Sequence, residues 1–323
     1  MNRVLVTGGS GFIGTNLMES LALIGVQAKN YDWRPPRDCR QASSHYDGNI
    51  MDPASLRGVL ADFKPDVVVH LAARCDLAGR SLFDYSANTT GVHNVIDAVS
   101  EAPSVERVVF ASSRYVHSND RQPTRDDEYT PFTMYGVSKA EGEKIVRASK
   151  LEAAWLLLRP TSIWGPWFDI PYKGFFEAIR KGLYVHPRGE AIFKSYGYVG
   201  NVVHQIYQLS VAPASQIHAK TFYAADYKPL EVKSWAENIR TSFSAREIWE
   251  MPLAIMKSAA KVGDLAKKLG WYNPPLTSFR LGNLRTQMVY DISATENVVG
   301  PLPFSLQEGV ERTVDWMRQH KEH

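Results

Sequence analysis

Tyr135 and Lys139 stand four residues apart, and a phenol beside an ammonium can move protons. The stretch from Tyr135 to Ser149, preceded by Pro131 and Thr133 and rich in Lys, Glu and Ala, reads as a helix. A separation of four stacks both side chains on one helical face. A free phenol ionises near pH ~10, too high for proton exchange at neutrality. An adjacent ammonium favours the phenolate and brings it into working range against an alcohol or sugar oxygen. A surface Tyr and Lys facing solvent is the plain alternative for this spacing taken alone. A second hydroxyl supports the chemical reading. Ser112-Ser113 close the apolar run Val108-Val109-Phe110-Ala111, a buried parallel strand by pattern. Ligands of open α/β sheets collect at that edge, where Ser113 could donate to a reacting oxygen and orient it against Tyr135. Ser112 could instead satisfy the loop.

What must position this group starts at the N-terminus. Val4-Leu5-Val6 reads as a buried strand and runs into Thr7-Gly8-Gly9-Ser10-Gly11-Phe12-Ile13-Gly14. Leu17, Leu21, Leu23 and Ile24 then suit the apolar face of a helix. Glycines between strand and helix let the backbone approach a ligand where a Cβ would collide. A dinucleotide pyrophosphate would lie on the N–H groups at the helix N-terminus. The spacing of Gly8, Gly11 and Gly14 is G-x-x-G-x-x-G rather than the commoner G-x-G-x-x-G. Asp32 ends the next strand, about where an acid should hold the adenosine ribose hydroxyls. Its charge opposes the extra phosphate of NADP, so NAD is the expected cofactor, with Arg34 and Arg37 softening that preference. Lys139 could also hydrogen-bond the nicotinamide ribose.

Bulk properties fit an enzyme large enough for two lobes: 323 residues, 44% hydrophobic and 22% charged. A net charge of +3 with scattered Lys and Arg argues against nucleic acid. Two cysteines, Cys39 and Cys75, make no disulfide framework and point to the cytoplasm. No metal-ligand spacing and no signal-peptide pattern is evident, and no apolar stretch reaches the ~20 residues that span a bilayer. Short apolar strands alternate with helical patterns up to about residue 165, the mark of a parallel sheet with helices on both faces. Beyond Gly165 an aromatic, proline-broken stretch begins. Met251 to Leu269 is amphipathic and carries Lys257, Lys261, Lys267 and Lys268. It reads as a solvated helix in preference to one lying on a membrane, and no membrane partner is expected.

Further motifs carry a family resemblance along nearly the whole chain. Thr7 to Gly14 matches T-G-x-x-G-F-I-G, and Gly48-Asn49-Ile50-Met51-Asp52 matches G-D-I-R-D with Asn49 in place of the usual acid. Val69-His70-Leu71-Ala72-Ala73, Asn88-Thr89-Thr90-Gly91, Tyr135 with Lys139, and Arg159-Pro160-Thr161-Ser162-Ile163-Trp164-Gly165-Pro166 match in turn. So do Lys194 before Tyr198-Val199, Asp291-Ile292-Ser293 and Ser305-Leu306-Gln307-Glu308-Gly309. The chain resembles the extended short-chain dehydrogenase/reductases of the NAD-dependent epimerase/dehydratase group, which remodel nucleotide-activated sugars.

The resemblance implies a Rossmann-type doubly wound parallel sheet with a smaller mixed α/β substrate lobe. The NAD-binding domain is expected over 1–165 with a return near 195–245, and the substrate lobe over 166–194 and 246–323. Ser113, Tyr135 and Lys139 become the catalytic set. Gly8, Gly11, Phe12, Ile13, Gly14, Asp32, Asn49, Ile50, Leu71, Ala72, Ala73 and Asn88 join Tyr135 and Lys139 around the cofactor. Ser112, Ser162, Lys194 and Arg280 are the candidates for substrate contact, a nucleotide-diphosphate sugar. A homodimer is expected by resemblance alone. Sugar 4,6-dehydratases of the group carry Asp-Glu after the catalytic Ser or Thr, where this chain has Arg114-Tyr115. Dehydration is therefore disfavoured. A sugar epimerase acting at C4, in surface polysaccharide synthesis, is the leading expectation. A 4-ketosugar reductase comes next, and a 3-beta-hydroxysteroid-type dehydrogenase or a non-catalytic NAD-binding protein is more distant.

Overall fold

The computed structural model describes residues 2–118, 125–169, 172–189, 191–271, 274 and 276–320. The chain divides into two compact units. The first comprises Met1–Trp167, Gly197–Tyr227 and Tyr290–Phe304; the second comprises Phe168–Tyr196, Lys228–Val289 and Ser305–His323.

The first unit is built on a seven-stranded sheet. Its strands are β1 (Arg3–Thr7), β2 (Gln27–Asp32), β3 (His45–Asp47), β4 (Val67–His70), β5 (Arg107–Ala111) and β6 (Ala154–Pro160), followed by β7 (Ser162–Trp164) outside it and β11 (Lys220–Ala224) at its far edge. The order is β11-β6-β5-β4-β1-β2-β3, parallel throughout. Uninterrupted apolar strands such as Val67-Val68-Val69 suit a sheet buried on both faces. Helices α1 (Phe12–Leu23), α2 (Pro53–Phe63), α3 (Thr90–Ser100), α4 (Met134–Ala148), α6 (Val199–Val211), α7 (Ala214–Ile217) and α11 (Ser293–Val299) complete the unit. One core cluster gathers Leu5, Val68, Val108 and Leu157 from four neighbouring strands with Leu60, Val95 and Val146 from helices. The chain reverses direction across the sheet between β1 and β4, so their C-terminal ends border the crevice where ligands of such sheets bind.

In the second unit, α5 (Tyr172–Arg180) and α12 (Leu306–Gln319) both pack on α8 (Val232–Phe243). Trp235 of α8 lies at the centre of that packing, stacked on Phe175 at 4.8 Å and edge-on to Phe176 and Tyr196. Two small ribbons pair β8 (Val185–Pro187) with β13 (Trp249–Met251) and β9 (Phe193–Lys194) with β12 (Leu230–Glu231). The strand β10 (Tyr196–Tyr198) carries the chain from one unit to the other. Helices α9 (Leu253–Lys268) and α10 (Ser278–Arg285) pack together around Met256, Ala260 and Leu281. The return expected near 195–245 ends earlier, at Tyr227, because α8 packs within the second unit. A second return, Tyr290–Phe304, carries no strong periodic signal in the sequence.

Behind α4 lies a buried ion pair. Arg159 of β6 donates to Glu143 of α4 through Nε at 2.8 Å and Nη2 at 2.7 Å, and both side chains are essentially inaccessible to water. Ser112 Oγ donates to the same carboxylate at 2.5 Å and Tyr129 OH at 3.0 Å. Removing one partner of a buried pair strands the other charge. Glu143→Ala should therefore cost about 3–5 kcal/mol of unfolding free energy, read by urea denaturation. The double replacement Glu143→Leu/Arg159→Met should recover most of that loss. A single-variant cost within the few tenths of a kcal/mol of an ordinary surface change would contradict the account.

Candidate active site

The glycine loop closes against the end of β4. Gly8 has φ +77°, a left-handed conformation, and a Cβ there would stand 2.5 Å from the Ala72 backbone nitrogen. At Gly14, in the first turn of α1, a Cβ would meet the Gly8 carbonyl oxygen at 2.4 Å. The loop is a cradle that side chains would fill, and Phe12 and Ile13 open the helix above it. Asp32 borders it directly: its carboxylate accepts from Ser10 N at 3.1 Å and Arg34 N at 3.0 Å. Arg37 donates to the Ser10 carbonyl at 3.1 Å and the Trp167 carbonyl at 2.9 Å. That guanidinium braces the loop, and the acid remains at the end of β2. A dinucleotide with free ribose hydroxyls fits this arrangement, with the pyrophosphate on the α1 N-terminus.

Elsewhere in the cofactor set, Thr7 Oγ1 pairs with His70 Nδ1 at 2.7 Å, joining the ends of β1 and β4. Leu71 N donates to the Thr7 carbonyl at 2.9 Å, which holds Leu71-Ala72-Ala73 over the loop. Ile50 is buried, and Asn49 uses its side-chain oxygen to accept from Met51 N at 3.0 Å. The Asn88 amide donates to the Arg74 carbonyl and to Ser138 Oγ and its oxygen accepts from Arg74 N, so it ties the post-β4 loop to α4.

Tyr135 lies in the first turn of α4, whose N-cap Thr133 accepts from Gly136 N at 3.0 Å. Tyr135 and Lys139 are both buried, so the solvent-facing alternative is overturned. The Tyr135 phenol hydrogen-bonds with Ser113, and the Lys139 ammonium donates to the Ala111 carbonyl at 2.9 Å, at the end of β5. The three residues thus converge where β5 ends. Tyr115 and Tyr85 wall the phenol, with ring centroids at 5.7 and 6.2 Å from it.

The charge states differ from the expectation that Lys139 lowers the phenol. Burial, followed by the Cys75 thiol, pushes Tyr135 well above 10, while the Ser113 hydrogen bond pulls the other way. Burial likewise pulls the Lys139 ammonium down, against Cys75 and Glu143. Desolvation opposes both charged forms and outweighs their proximity. Cys75 was missed by sequence reasoning; its signal was its place just past His70-Leu71-Ala72-Ala73, at the end of a sheet strand.

Of the substrate candidates, Ser112 turns away to Glu143. Ser162 is buried in β7. Within the second unit, Lys194 is buried with its ammonium on the Asn283 and Thr286 carbonyls at 2.8 and 2.9 Å, capping the C-terminal end of α10. Arg280 is exposed and donates to the Pro274 carbonyl at 2.7 Å. Arg114 is buried, packs over the Tyr115 ring at 4.3 Å and donates to Tyr290 OH at 3.3 Å. It brings no carboxylate to the place where an elimination would need one. No metal-ligand cluster occurs among the described residues.

The model of the NAD dependent epimerase/dehydratase family matches residues 4–219. The chain belongs to that family. It is an NAD-dependent enzyme with the Rossmann-type sheet of the extended short-chain dehydrogenase/reductases. It is 27% identical, over 99% of its own length and 96% of the relative's, to the N-acetyl-alpha-D-glucosaminyl-diphospho-ditrans,octacis-undecaprenol 4-epimerase of Escherichia coli O157:H7. It is also 27% identical to 3beta-hydroxysteroid-dehydrogenase/decarboxylase isoform 1 of Arabidopsis thaliana, over 96% of this chain and 78% of that one. Its fold matches UDP-glucose 4-epimerase from Thermotoga maritima with a TM-score of 0.75, at 21% identity and covering 99% and 100% of the two chains.

Two buried histidines give this region a pH signature. Burial and then Lys139 hold His70 at about 3; burial and then Arg159 hold His117 at about 4. Folded values below the free value of ~6.5 give stability that is present above that pH and lost as pH falls. Asp226, in the same unit, acts in reverse: burial raises it to about 6, so its contribution is full below its free value of 3.8 and lost through 6. Between pH 6 and 4 the unfolded chain gains about one net proton over the folded one, a slope of about 1.4 kcal/mol per pH unit. Urea denaturation across that window should show wild-type stability falling with acid by this amount, and its slope should differ from that of His70→Asn/His117→Asn by about 2–2.5 kcal/mol per pH unit, because both histidine contributions are lost there. In the double variant the contribution of Asp226 alone should reverse the sign. Parallel curves would contradict neutral buried histidines.

Proposed function

We propose that this enzyme inverts a hydroxyl-bearing carbon, C4, of a diphosphate-linked sugar, with a nucleotide diphosphate as the carrier. The observation that carries the reading is the convergence of Ser113, Tyr135 and Lys139 at the end of β5, in the unit that holds the glycine cradle. The end-to-end relationship to a 4-epimerase supports inversion over one-way ketone reduction. Arg114 and Tyr115 in place of an acid pair argue against dehydration.

In this reading NAD, when bound, accepts the hydride from C4 and gives it back. Ser113 Oγ hydrogen-bonds the C4 oxygen and holds it against Tyr135. The Tyr135 oxygen takes the hydroxyl proton as the C4–H bond breaks and the carbonyl forms. Lys139, fixed by the Ala111 carbonyl, stabilises the phenolate form in which Tyr135 must begin this step and contacts the cofactor ribose. The keto sugar then turns over in the site. Tyr135 returns its proton to the oxygen when hydride reaches the opposite face of C4. Atoms and electrons balance without external reductant.

The remaining assignments belong to the same proposal. Gly8, Gly11, Gly14, Phe12 and Ile13 cradle the pyrophosphate, Asp32 holds the adenosine ribose, and Asn49, Ile50 and Leu71-Ala72-Ala73 border the cofactor. The first unit binds cofactor and the second contributes substrate recognition; the protein works as a homodimer in surface polysaccharide synthesis.

Tyr135→Phe tests the chemistry. Turnover of UDP-hexoses or UDP-N-acetylhexosamines, followed by chromatography of the epimers, should fall about 10²–10⁴-fold. NAD affinity by calorimetry should stay within a small factor of wild type. Loss of NAD binding together with turnover, or full turnover in the variant, would overturn the role given to Tyr135.

A further inference from the structure

The helix α9 has an outward face that a solvated helix should not have. Met256, Ala260 and Gly263 turn to the core of the second unit. At 3.6 residues per turn, Ile255, Val262, Leu265 and Leu269 fall on the opposite side, at 54%, 68%, 57% and 79% exposure. Ala254, Ser258 and Ala259 fill the space between them and are exposed as well. No charged residue of the helix falls on this band. Trp271 follows just past the helix and is 57% exposed. The polar residues lie beside the apolar band and do not replace it.

Charge identifies the occupant. Lys257, Lys261 and Lys268 run in a row along one flank of the band. The one acid of the helix, Asp264, is turned to α10, where it accepts from Ser278 N at 3.1 Å. An apolar stripe flanked by lysines, with a Trp following it in the chain, has the chemistry of a helix seated in the headgroup layer of an anionic membrane. The aliphatic residues enter the acyl boundary, the indole lies at the interface, and the lysines reach anionic headgroups. No helix among the described residues is long and apolar enough to cross a membrane, so contact of this kind lies in the membrane plane.

We infer that the α9 face, from Ile255 to Trp271, is a docking surface for an anionic lipid bilayer. The inference goes beyond the reaction and is read without turnover, so either can fail while the other stands.

The full-length protein should float with vesicles of phosphatidylcholine containing phosphatidylglycerol, weakly with phosphatidylcholine alone, and less as salt rises. Val262→Asp/Leu265→Asp should lower the vesicle-bound fraction about tenfold or more, as should Lys257→Glu/Lys261→Glu/Lys268→Glu. All these positions are exposed, so circular dichroism and turnover of a soluble nucleotide sugar should match wild type. Wild-type protein that ignores anionic vesicles, or variants that bind them undiminished, would overturn the inference. So would variants that turn a dimer into a monomer in solution, which would assign the face to a second copy of the chain.

Discussion

A carboxylate and a guanidinium buried together behind the sheet edge are the constraint on which the site depends. Glu143 lies one helical turn beyond Lys139 on α4, and Arg159 sits on β6. Their pairing fixes the distance between that helix and the sheet. Through Ser112 the same carboxylate grips the segment that ends β5, so Ser113, its neighbour, reaches Tyr135. Lys139 completes the frame from the other side through the Ala111 carbonyl. The segment that carries Ser112 and Ser113 is thus tied to the buried carboxylate, and Lys139 to the end of the same strand. That arrangement favours a fixed geometry over a low-cost one, since buried ion pairs add little net stability.

The same burial sets an electrostatic tension at the centre of the site. Without bound ligand, the phenol of Tyr135 is held protonated and the ammonium of Lys139 is destabilised, both by exclusion from water. A group whose charged form is disfavoured until a partner arrives is poised for proton exchange rather than for permanent ionisation. His70, buried and neutral between the Thr7 hydroxyl and the field of Lys139, carries this polar chain to the strand that launches the glycine cradle. The glycine loop and the Ser113–Tyr135–Lys139 cluster thus border neighbouring strands of one sheet.

Much of this was legible in the sequence because it is local. The strand–glycine–helix pattern at Val4 to Gly14 and the four-residue step from Tyr135 to Lys139 need only periodicity and spacing. What stayed hidden depended on contacts between residues far apart in the chain. Ser113 is set apart from Ser112 in the sequence, but that Ser112 turns to Glu143, across the sheet edge on α4, shows only in the structure. Lys194 carried a motif match, yet its ammonium ends on the carbonyls closing α10, almost ninety residues on. Cys75 carries no pattern by itself and becomes visible only once its loop folds back on α4. For α9 the amphipathicity shows in the sequence, but not which side the core takes.

The central claim is that a cofactor seated in the glycine cradle is regenerated within every cycle by the Ser113–Tyr135–Lys139 group. Denaturing freshly purified, extensively dialysed protein and identifying the nucleotide it releases tests this most directly. The account predicts near-stoichiometric NAD, recovered without supplementation during purification. An empty protein that consumes NADH or NADPH only when a keto sugar is added would contradict it and assign a one-way reduction instead.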